Sequence, residues 1–310
     1  MIINAFPLLA FAFLFFCNCT NNTVSYTSGI AYELAKCPAD KQIVKHFAYT
    51  LSYNEEHEQA NWVAYELTKD HLNGGLKRTN KFIVDPMVIT GSATEADYKG
   101  SGYDRGHLAP AGDMTWDATA MAESFYYSNM SPQAPGFNRG IWKNLEEQVR
   151  SWAAEYGMLY IATGPVLSKG LSVIGPDKVS VPEYYYKAIL DYQPPVEKAI
   201  GFIMRNESST LPLSTFAVSI DSLEKFTGID FFYQLPDVEE KQIEANLDLS
   251  KWDFNISTST TYSKSKTIAN NNQAPRLTTA VQCSATLKSG ARCKRMTKSP
   301  NGRCYQHGGN

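Results

Sequence analysis

The sequence predicts a protein of the α+β class, in which several short strands combine with few helices. Short runs rich in β-branched and aromatic residues, bounded by glycine, proline or asparagine, are typical of strands. Such runs occupy residues 46–51, 62–67, 158–163, 184–191, 199–204 and 216–220. The number of these runs indicates a sheet large enough to organise most of the chain.

Two segments carry helical patterns instead. Residues 145–152 place three apolar side chains at helical spacing between charged ones, which predicts an amphipathic helix. Residues 222–227 predict a short helix, with Ser222 as its N-cap and Gly228 as its stop. Together with the strand runs, these helices indicate mixed α+β architecture.

The composition changes towards the C-terminus and divides the chain into parts. The chain has 310 residues, 43% of them hydrophobic, which is enough for one large domain with an appendage or for two smaller domains. Residues 257–280 are mostly Ser, Thr, Asn and Lys and cannot form a packed core. We therefore predict a main domain at 40–253, a flexible linker at 254–282 and a small module at 283–310.

Charge is distributed unevenly along the chain, although the formal net charge is only -2. No Asp or Glu follows Asp253, whereas nine Lys and Arg residues do. This leaves 20 basic against 31 acidic side chains, a net charge of -11, in residues 1–253. The chain is an acidic body with a basic tail.

The N-terminal residues predict export from the cytoplasm. The first twenty residues contain no charged side chain and include an apolar run from Ala5 to Phe16. About a dozen apolar residues suit an export signal better than a membrane span. We predict that residues 1–19 are a signal and that the protein is extracellular, periplasmic or held in the cell envelope. Cys17 and Cys19 leave open a lipoprotein anchored at either one, and an uncleaved N-terminal anchor is a further alternative.

The residues with the most distinctive chemistry lie in the middle of the chain. They are Asp104-Arg105-Gly106-His107, then Asn129-Met130-Ser131-Pro132-Gln133, and then Asn138, Trp142, Leu145 and Glu146. In this order they closely resemble the DNA/RNA non-specific endonuclease family, the ββα-metal or His-Me finger nucleases. The resemblance covers most of residues 45–253 and implies a central antiparallel sheet flanked by helices.

His107 is the predicted catalytic base. Hydrolysis of a phosphodiester requires a deprotonated water, and histidine has the unperturbed pKa best suited to a general base near neutral pH. The resemblance implies the same role for His107 and places Asn129 beside it. The plain alternative is a histidine that only packs in the core.

A divalent metal is implied by the same resemblance. Asn138 matches the family's single direct metal ligand, and Glu146 matches a residue that hydrogen-bonds a metal-bound water. Mg²⁺ suits this arrangement because it keeps most of its waters, and Mn²⁺ is a substitute. Asn138 as an ordinary turn residue and Glu146 as part of a solvated helix face are the alternatives.

Arginines are the predicted phosphate ligands, because the planar guanidinium fork matches two phosphate oxygens at once. Arg105 and Arg150 can stabilise phosphate charge, although Arg150 could instead pair with Glu146 one helical turn away. The family also has an arginine upstream of the central motif, and Arg78 is the candidate for it here.

The C-terminal module predicts a structural Zn²⁺ site. Six cysteines are too few and too clustered for a disulfide scaffold, but Cys283, Cys293, Cys304 and His307 provide four ligands of the type that Zn²⁺ prefers. The module resembles small Cys₃His modules and is too small to fold from apolar burial alone. A disulfide between two of these cysteines is the alternative.

The predicted function is a secreted, Mg²⁺-dependent endonuclease that cleaves both DNA and RNA, because contacts to the phosphate backbone carry little sequence information. The basic tail would hold nucleic acid near the body or adhere to an anionic surface. Two other classes stay open: a catalytically idle binding protein, and a phosphodiesterase for small nucleotides. The sequence also leaves open a homodimer.

Overall fold

The computed structural model describes residues 29–254, 281–286 and 292–297. These residues belong to two units, of which the larger holds 29–254 and the smaller holds the two C-terminal segments. The predicted signal, nearly all of the predicted linker, Cys304 and His307 lie outside the described residues. Among the helices that the structure describes, none is long and apolar enough to cross a membrane.

The elements of the larger unit are numbered in chain order. Its strands are β1 Ala35–Lys36, β2 Gln42–Lys45, β3 Thr50–Asn54, β4 Gln59–Thr68, β5 Asp104–His107, β6 Met130–Gln133, β7 Met158–Pro165, β8 Val173–Ile174, β9 Val179–Ser180, β10 Tyr184–Asp191, β11 Lys198–Arg205, β12 Ala217–Val218 and β13 Asp230–Phe231. Its α-helices are α1 Glu95–Tyr98, α2 Ala118–Glu123, α3 Lys143–Tyr156, α4 Ile220–Thr227 and α5 Asp237–Ala245.

A seven-stranded sheet forms the centre of this unit. Its strand order is β12-β11-β10-β7-β4-β3-β2, and every neighbouring pair is antiparallel. The runs predicted at 62–67, 158–163, 184–191 and 199–204 fall within β4, β7, β10 and β11. The prediction of an α+β protein with a central antiparallel sheet is therefore confirmed.

The sheet is covered on both faces, and strand β10 shows how the sequence divides between them. Successive side chains of a strand point to opposite faces. Tyr185 and Ile189 join the apolar core that contains much of α3, whereas Tyr186 and Ala188 join a second core that contains residues of α4 and α5. Helix α3 therefore lies on one side of the sheet, and α4 and α5 lie on the other.

Helix α4 has a different N-cap from the predicted one. Its N-cap is Ser219, whose extended backbone lets the Oγ accept a hydrogen bond from the backbone N–H of Ser222 at 3.2 Å. Gly228 ends the helix with a left-handed φ of 72°, as predicted. The prediction of Ser222 as the N-cap was wrong. Both serines are residue types that favour the N-cap position, but only Ser219 lies outside the first helical turn.

Two predicted strand runs are displaced in the structure. In the run 46–51 only its last two residues belong to β3, because the N–H of His46 donates to the carbonyl of Tyr49 at 2.8 Å and closes a turn. In the run 216–220 only Ala217 and Val218 pair with the sheet. Both runs contain apolar residues that are buried by a turn or a helix start rather than by a strand.

Strands β5 and β6 form a separate antiparallel pair that leads towards α3. His107 is opposite Met130 in this pair, and Asp104 is opposite Gln133. A wide helical turn at Phe137–Trp142 then runs directly into α3. Two strands and a helix in this order provide the ββα arrangement implied by the family resemblance.

The smaller unit contains a two-stranded antiparallel pair of β14 Val281–Gln282 and β15 Met296–Thr297. Cys283 and Cys293 are buried side by side next to this pair. The structure thus brings together two of the four residues predicted to bind Zn²⁺. The other two, Cys304 and His307, lie beyond the described residues.

Replacement of Trp152 by alanine tests how strongly α3 is held to the body. The Trp152 ring is fully buried, lies 4.7 Å from the ring of Trp252, and donates through Nε1 to the carbonyl of Asp253 at 2.8 Å. We expect Trp152→Ala to lower the free energy of unfolding by about 3–5 kcal/mol through lost burial and a cavity. Denaturant unfolding measures this change.

The matched control is Glu155→Ala, which alters an exposed side chain of the same helix. We expect this control to change the free energy of unfolding by less than about 0.5 kcal/mol. Equal effects of the two variants would contradict the role assigned to Trp152.

Candidate active site

The glycine of the Asp-Arg-Gly-His motif is required by close packing between β5 and β6. A Cβ atom built on Gly106 would lie 2.2 Å from Cδ of Gln133, a fully buried side chain. Any larger residue would have to displace the buried Gln133 side chain. The absence of a side chain at Gly106 therefore keeps the preceding Arg105 and the following His107 at their positions on β5.

His107 lies at the end of β5 in a largely apolar environment. It is only 7% exposed, and its ring packs edge-on against Phe125 with 4.9 Å between ring centres. Its Nε2 has no hydrogen-bond partner among the described residues. Burial lowers the pKa of His107 to about 3, and the nearby charges of Arg78 and Arg105 act in the same direction. The ring is thus neutral near pH 7 and able to accept a proton.

Asn129 connects the two strands of the motif just beyond His107. Its side chain accepts from the N–H of Ala109 at 2.9 Å and donates to the carbonyls of Ala109, at 2.9 Å, and Ser124, at 2.8 Å. The residue is fully buried, and these bonds occupy the amide group. Asn129 therefore lies beside His107 as expected, where it positions the backbone that follows the histidine.

Two arginines flank His107, each stacked on an aromatic ring. The guanidinium of Arg105 lies 4.1 Å from the ring centre of Phe82, and that of Arg78 lies 5.5 Å from the ring centre of Phe125. Phe125 is the same ring that contacts His107. The structure therefore brings Arg78, the upstream candidate, into the same group as the motif residues.

Asn138 is oriented by the first residue of the motif. Its Nδ2 donates to Oδ2 of Asp104 at 2.9 Å, and Asp104 also pairs with Arg139. Burial would raise the pKa of Asp104, but hydrogen bonds from Arg139 and Asn138 outweigh it and hold that pKa below its ordinary value. A carboxylate only accepts, so this bond identifies the nitrogen end of the amide. The Asn138 Oδ1 accepts no bond from the described residues and is available to a ligand.

Glu146 and Arg150 lie one turn apart on α3 but do not pair with each other in the structure. Arg150 instead donates through Nη1 to Asp113 at 2.8 Å, and the second oxygen of Asp113 accepts from the hydroxyl of Tyr65 at 2.8 Å. Burial raises the pKa of Glu146 to about 7, against the lowering effects of Arg150 and Lys187. Arg150 therefore pairs with Asp113, and not with Glu146 as the sequence alternative had it.

Lys187 is a site residue that the sequence analysis did not single out. It is 1% exposed on β10, its Nζ has no hydrogen-bond partner among the described residues, and it lies 5.0 Å from the ring centre of Trp142. Burial lowers its pKa to about 8, whereas Glu146 and Asp113 favour its charged form. A lysine in the middle of an otherwise apolar strand run was the available signal. Nothing comparable in the sequence distinguished Asp113 from the other acidic residues.

The charges join these residues into one site. Arg78 lowers the pKa of both His107 and Glu146, so it lies within electrostatic reach of each. Around this point the structure places four cationic side chains, namely Arg78, Arg105, Arg150 and Lys187. Such a surplus of positive charge next to a neutral histidine suits a phosphate group.

The same site offers oxygen ligands suited to a hard divalent cation. Asn138 presents an amide oxygen whose orientation is set by Asp104. Glu146 follows it by eight residues, beyond a kink in the helical backbone at Gly140. An amide oxygen and a carboxylate are the donors that Mg²⁺ accepts in proteins, with waters completing its shell. The residues present therefore fit such an ion.

The other histidines of the larger unit have separate partners. Nε2 of His46 lies 2.9 Å from Asp85, Nδ1 of His57 lies 2.8 Å from the hydroxyl of Ser180, and His71 stacks on Trp116. These contacts explain their presence without a catalytic role. His107 thus remains the histidine placed beside the arginines.

Comparisons with known proteins identify a nuclease family for this chain. The model of the DNA/RNA non-specific endonuclease family matches residues 27–238. The chain is 38% identical over 215 residues to Nuclease C1 of Cunninghamella echinulata var. echinulata, and the match covers 63% of this chain and 84% of that protein. It is 36% identical over 221 residues to mitochondrial endonuclease G of Homo sapiens, covering 64% and 73%.

A solved structure shows the same fold. The crystal structure of the EndoG/EndoGI complex matches with a TM-score of 0.59 and 32% sequence identity, covering 63% of this chain and 87% of that chain. This match confirms the ββα-metal nuclease fold that the sequence predicted. The chain is an endonuclease that belongs to the DNA/RNA non-specific endonuclease family.

Proposed function

We propose that this protein is an exported, Mg²⁺-dependent endonuclease that hydrolyses phosphodiester bonds of both DNA and RNA to 5′-phosphate and 3′-hydroxyl ends. The observation that carries the proposal is a buried, neutral His107 flanked by Arg78 and Arg105. A base that is free of its proton at neutral pH, placed among phosphate-binding cations, matches the requirements of phosphodiester hydrolysis.

In this mechanism His107 accepts the proton of the attacking water. Arg78 and Arg105 hold the phosphate through their guanidinium groups, and both are already positioned by stacking on aromatic rings. Arg150, held by Asp113, adds charge stabilisation from α3. These residues contact phosphate rather than base edges, which supports cleavage without sequence preference.

Asn138 and Glu146 are the residues proposed to hold Mg²⁺, or Mn²⁺ as a substitute. Asn138 would hold the ion through its free Oδ1, and Glu146 would support it from α3. The bound ion would neutralise charge on the phosphate and on the leaving 3′ oxygen. Asp104 keeps the amide of Asn138 in the required orientation, since it fixes the nitrogen end.

The N-terminal segment and the C-terminal module have separate roles in this proposal. Residues 1–19 direct export, with a lipid anchor at Cys17 or Cys19 as the alternative to free secretion. The C-terminal module binds Zn²⁺ through Cys283, Cys293, Cys304 and His307. The close burial of Cys283 and Cys293 supports that ligand set, because two of the four residues are already adjacent. The basic tail retains nucleic acid near the body.

Digestion of plasmid DNA and total RNA tests the function. We expect cleavage of both substrates with Mg²⁺, none with EDTA, and a loss of about 10²–10⁴-fold in rate for His107→Ala, because general-base catalysis contributes this much. The control is His57→Ala, which removes a histidine bound to Ser180 and should retain activity. A folded wild-type protein that cleaves neither polymer, or that cleaves only small nucleotide esters, would sink the proposal.

The neutral state of His107 predicts a pH-dependent stability. Its folded-state pKa is lowered to about 3, so only the unfolded chain takes up a proton as the pH falls below about 6.5. The contribution of His107 to the free energy of unfolding is therefore fully present above pH 6.5, and it is lost as the pH falls towards 3. In EDTA we expect the wild-type free energy of unfolding to fall faster than that of His107→Asn, by about 1.4 kcal/mol per pH unit.

Denaturant unfolding of both proteins at pH 7, 6, 5 and 4 measures this difference. Groups other than residue 107 contribute equally to the two proteins, so they cancel in the comparison. Parallel curves for wild type and His107→Asn across this range would show that His107 is protonated as easily in the folded protein as in the unfolded chain.

Lys187 is predicted to act as a positioning residue for Glu146. Its buried positive charge favours the charged form of that carboxyl group. We expect Lys187→Met to raise the Mg²⁺ concentration for half-maximal activity by about 10–100-fold, the effect typical of residues that support metal-binding groups. Cleavage rates measured across a Mg²⁺ titration give this value.

Lys198→Met is the matched control. Lys198 is a well-buried lysine of the neighbouring strand β11, and its Nζ pairs with Asp191 at 3.5 Å. We expect this control to keep the wild-type Mg²⁺ requirement. If both lysine variants shift that requirement equally, the effect of Lys187 is one of general stability, and the positioning role is wrong.

A further inference from the structure

A cluster of carboxylates lies on the side of the sheet away from the active site. Asp221 and Glu224 belong to α4 and Glu244 belongs to α5, and each offers one carboxylate oxygen within 4.8 Å of the other two. Helices α4 and α5 contribute to the core on one face of the sheet, whereas α3 contributes to the core on the other. The cluster is therefore separate from the catalytic residues.

Glu244 makes this cluster more than a group of surface acids. It is only 6% exposed, one of its oxygens lies close to both other carboxylates, and its Oε1 has no hydrogen-bond partner among the described residues. A buried carboxylate without a partner is strongly unfavourable. Glu244 is also the penultimate residue of α5, and the C-terminal end of a helix disfavours negative charge.

The surroundings add further negative charge rather than a compensating cation. Asp230 and Glu240 also act on the pKa of Glu244 and raise it. Glu224 accepts a hydrogen bond at 2.8 Å from the N–H of Phe231, and no ion pair to Asp221, Glu224 or Glu244 occurs within the described segments. Of the basic residues nearby, Lys36 acts on Asp230, whereas Lys225 of α4 and Lys241 of α5 form no ion pair with the three carboxylates in the described part of the chain.

Burial and like charges make Glu224 and Glu244 difficult to ionise together. Burial, with neighbouring carboxylates acting in the same direction, raises the pKa of Glu224 to about 7 and that of Glu244 to about 9. The cluster therefore holds protons unless a cation replaces them. Either state removes the repulsion, but only a cation uses all three oxygens as ligands.

We propose that Asp221, Glu224 and Glu244 form a Ca²⁺ site that joins α4 to α5. Oxygen ligands of Ca²⁺ lie about 2.3–2.6 Å from the ion, so two ligands on opposite sides of one ion are separated by about 4.6–5.2 Å. The three oxygens lie within 4.8 Å of one another, so one such ion can contact all of them. Ca²⁺ accepts carboxylates in irregular geometry, whereas Mg²⁺ demands a shorter and nearly octahedral arrangement, so Ca²⁺ is the better match.

Calorimetric titration and thermal unfolding with CaCl₂ test this site. The full-length protein carries Asn138→Ala, which removes the proposed catalytic ligand so that ions bound there do not contribute. We expect one Ca²⁺ per chain, a rise in melting temperature, and release of protons at pH 7.5, measured by comparing buffers with different ionisation enthalpies. Thiolates bind Ca²⁺ poorly, so the C-terminal cysteines do not interfere.

Three variants in the same background identify the ligands. We expect Glu244→Gln and the surface-exposed Asp221→Asn to weaken Ca²⁺ binding by at least about 10-fold and to abolish the rise in melting temperature. Asp237→Asn, an exposed acid of α5 outside the cluster, should leave both unchanged. Asp221→Asn keeps the test decisive if a change at the buried Glu244 prevents folding.

Two results would overturn the site. The first is a folded protein that shows neither heat of binding nor a shift in melting temperature with millimolar Ca²⁺. The second is Ca²⁺ binding that persists unchanged in both Glu244→Gln and Asp221→Asn. If Glu244→Gln also raises the melting temperature without Ca²⁺, while wild type does not respond to the ion, the cluster holds protons alone.

Discussion

Burial of ionisable side chains beside the central sheet is the constraint on which the active site depends. His107, Glu146 and Lys187 all have pKa values moved towards neutral forms, and desolvation is the largest cause for each. Neighbouring charges partly oppose this effect of burial, because the positive charge of Lys187 lowers the pKa of Glu146. A neutral base and a poised carboxyl group result from the same low-dielectric environment.

The support for this site comes from short polar contacts rather than from the catalytic residues themselves. Asn129 holds the backbone after His107, Asp104 orients the amide of Asn138, and Asp113 pairs with Arg150. Each supporting residue links two parts of the chain that are far apart in sequence. The positions of the reactive groups therefore depend on the assembled fold, and loss of any one of these contacts would misplace the group that it holds.

The two faces of the sheet carry different charge arrangements. One face, with α3, gathers cationic side chains around the proposed phosphate-binding position. The other, with α4 and α5, gathers carboxylates with little compensation. Alternation along β10 separates the two, because Tyr185 and Lys187 belong to one face and Tyr186 and Ala188 to the other. A single sheet thus keeps two electrostatically opposite regions apart.

The sequence alone determined the α+β class, the long central strands, the amphipathic α3 and the Asp-Arg-Gly-His motif, because period, turn residues and motif order are local properties of the chain. It proposed His107, Asn138, Glu146, Arg105, Arg150 and Arg78 as one group. In the structure Arg78 interacts electrostatically with both His107 and Glu146, and Asp104 contacts Asn138. The tertiary structure decided that Arg150 pairs with Asp113, that Ser219 caps α4, and that Lys187 joins the site. These outcomes depend on which groups, distant in sequence, become buried neighbours in the folded chain. The spacing of residues along the sequence does not show which groups these are.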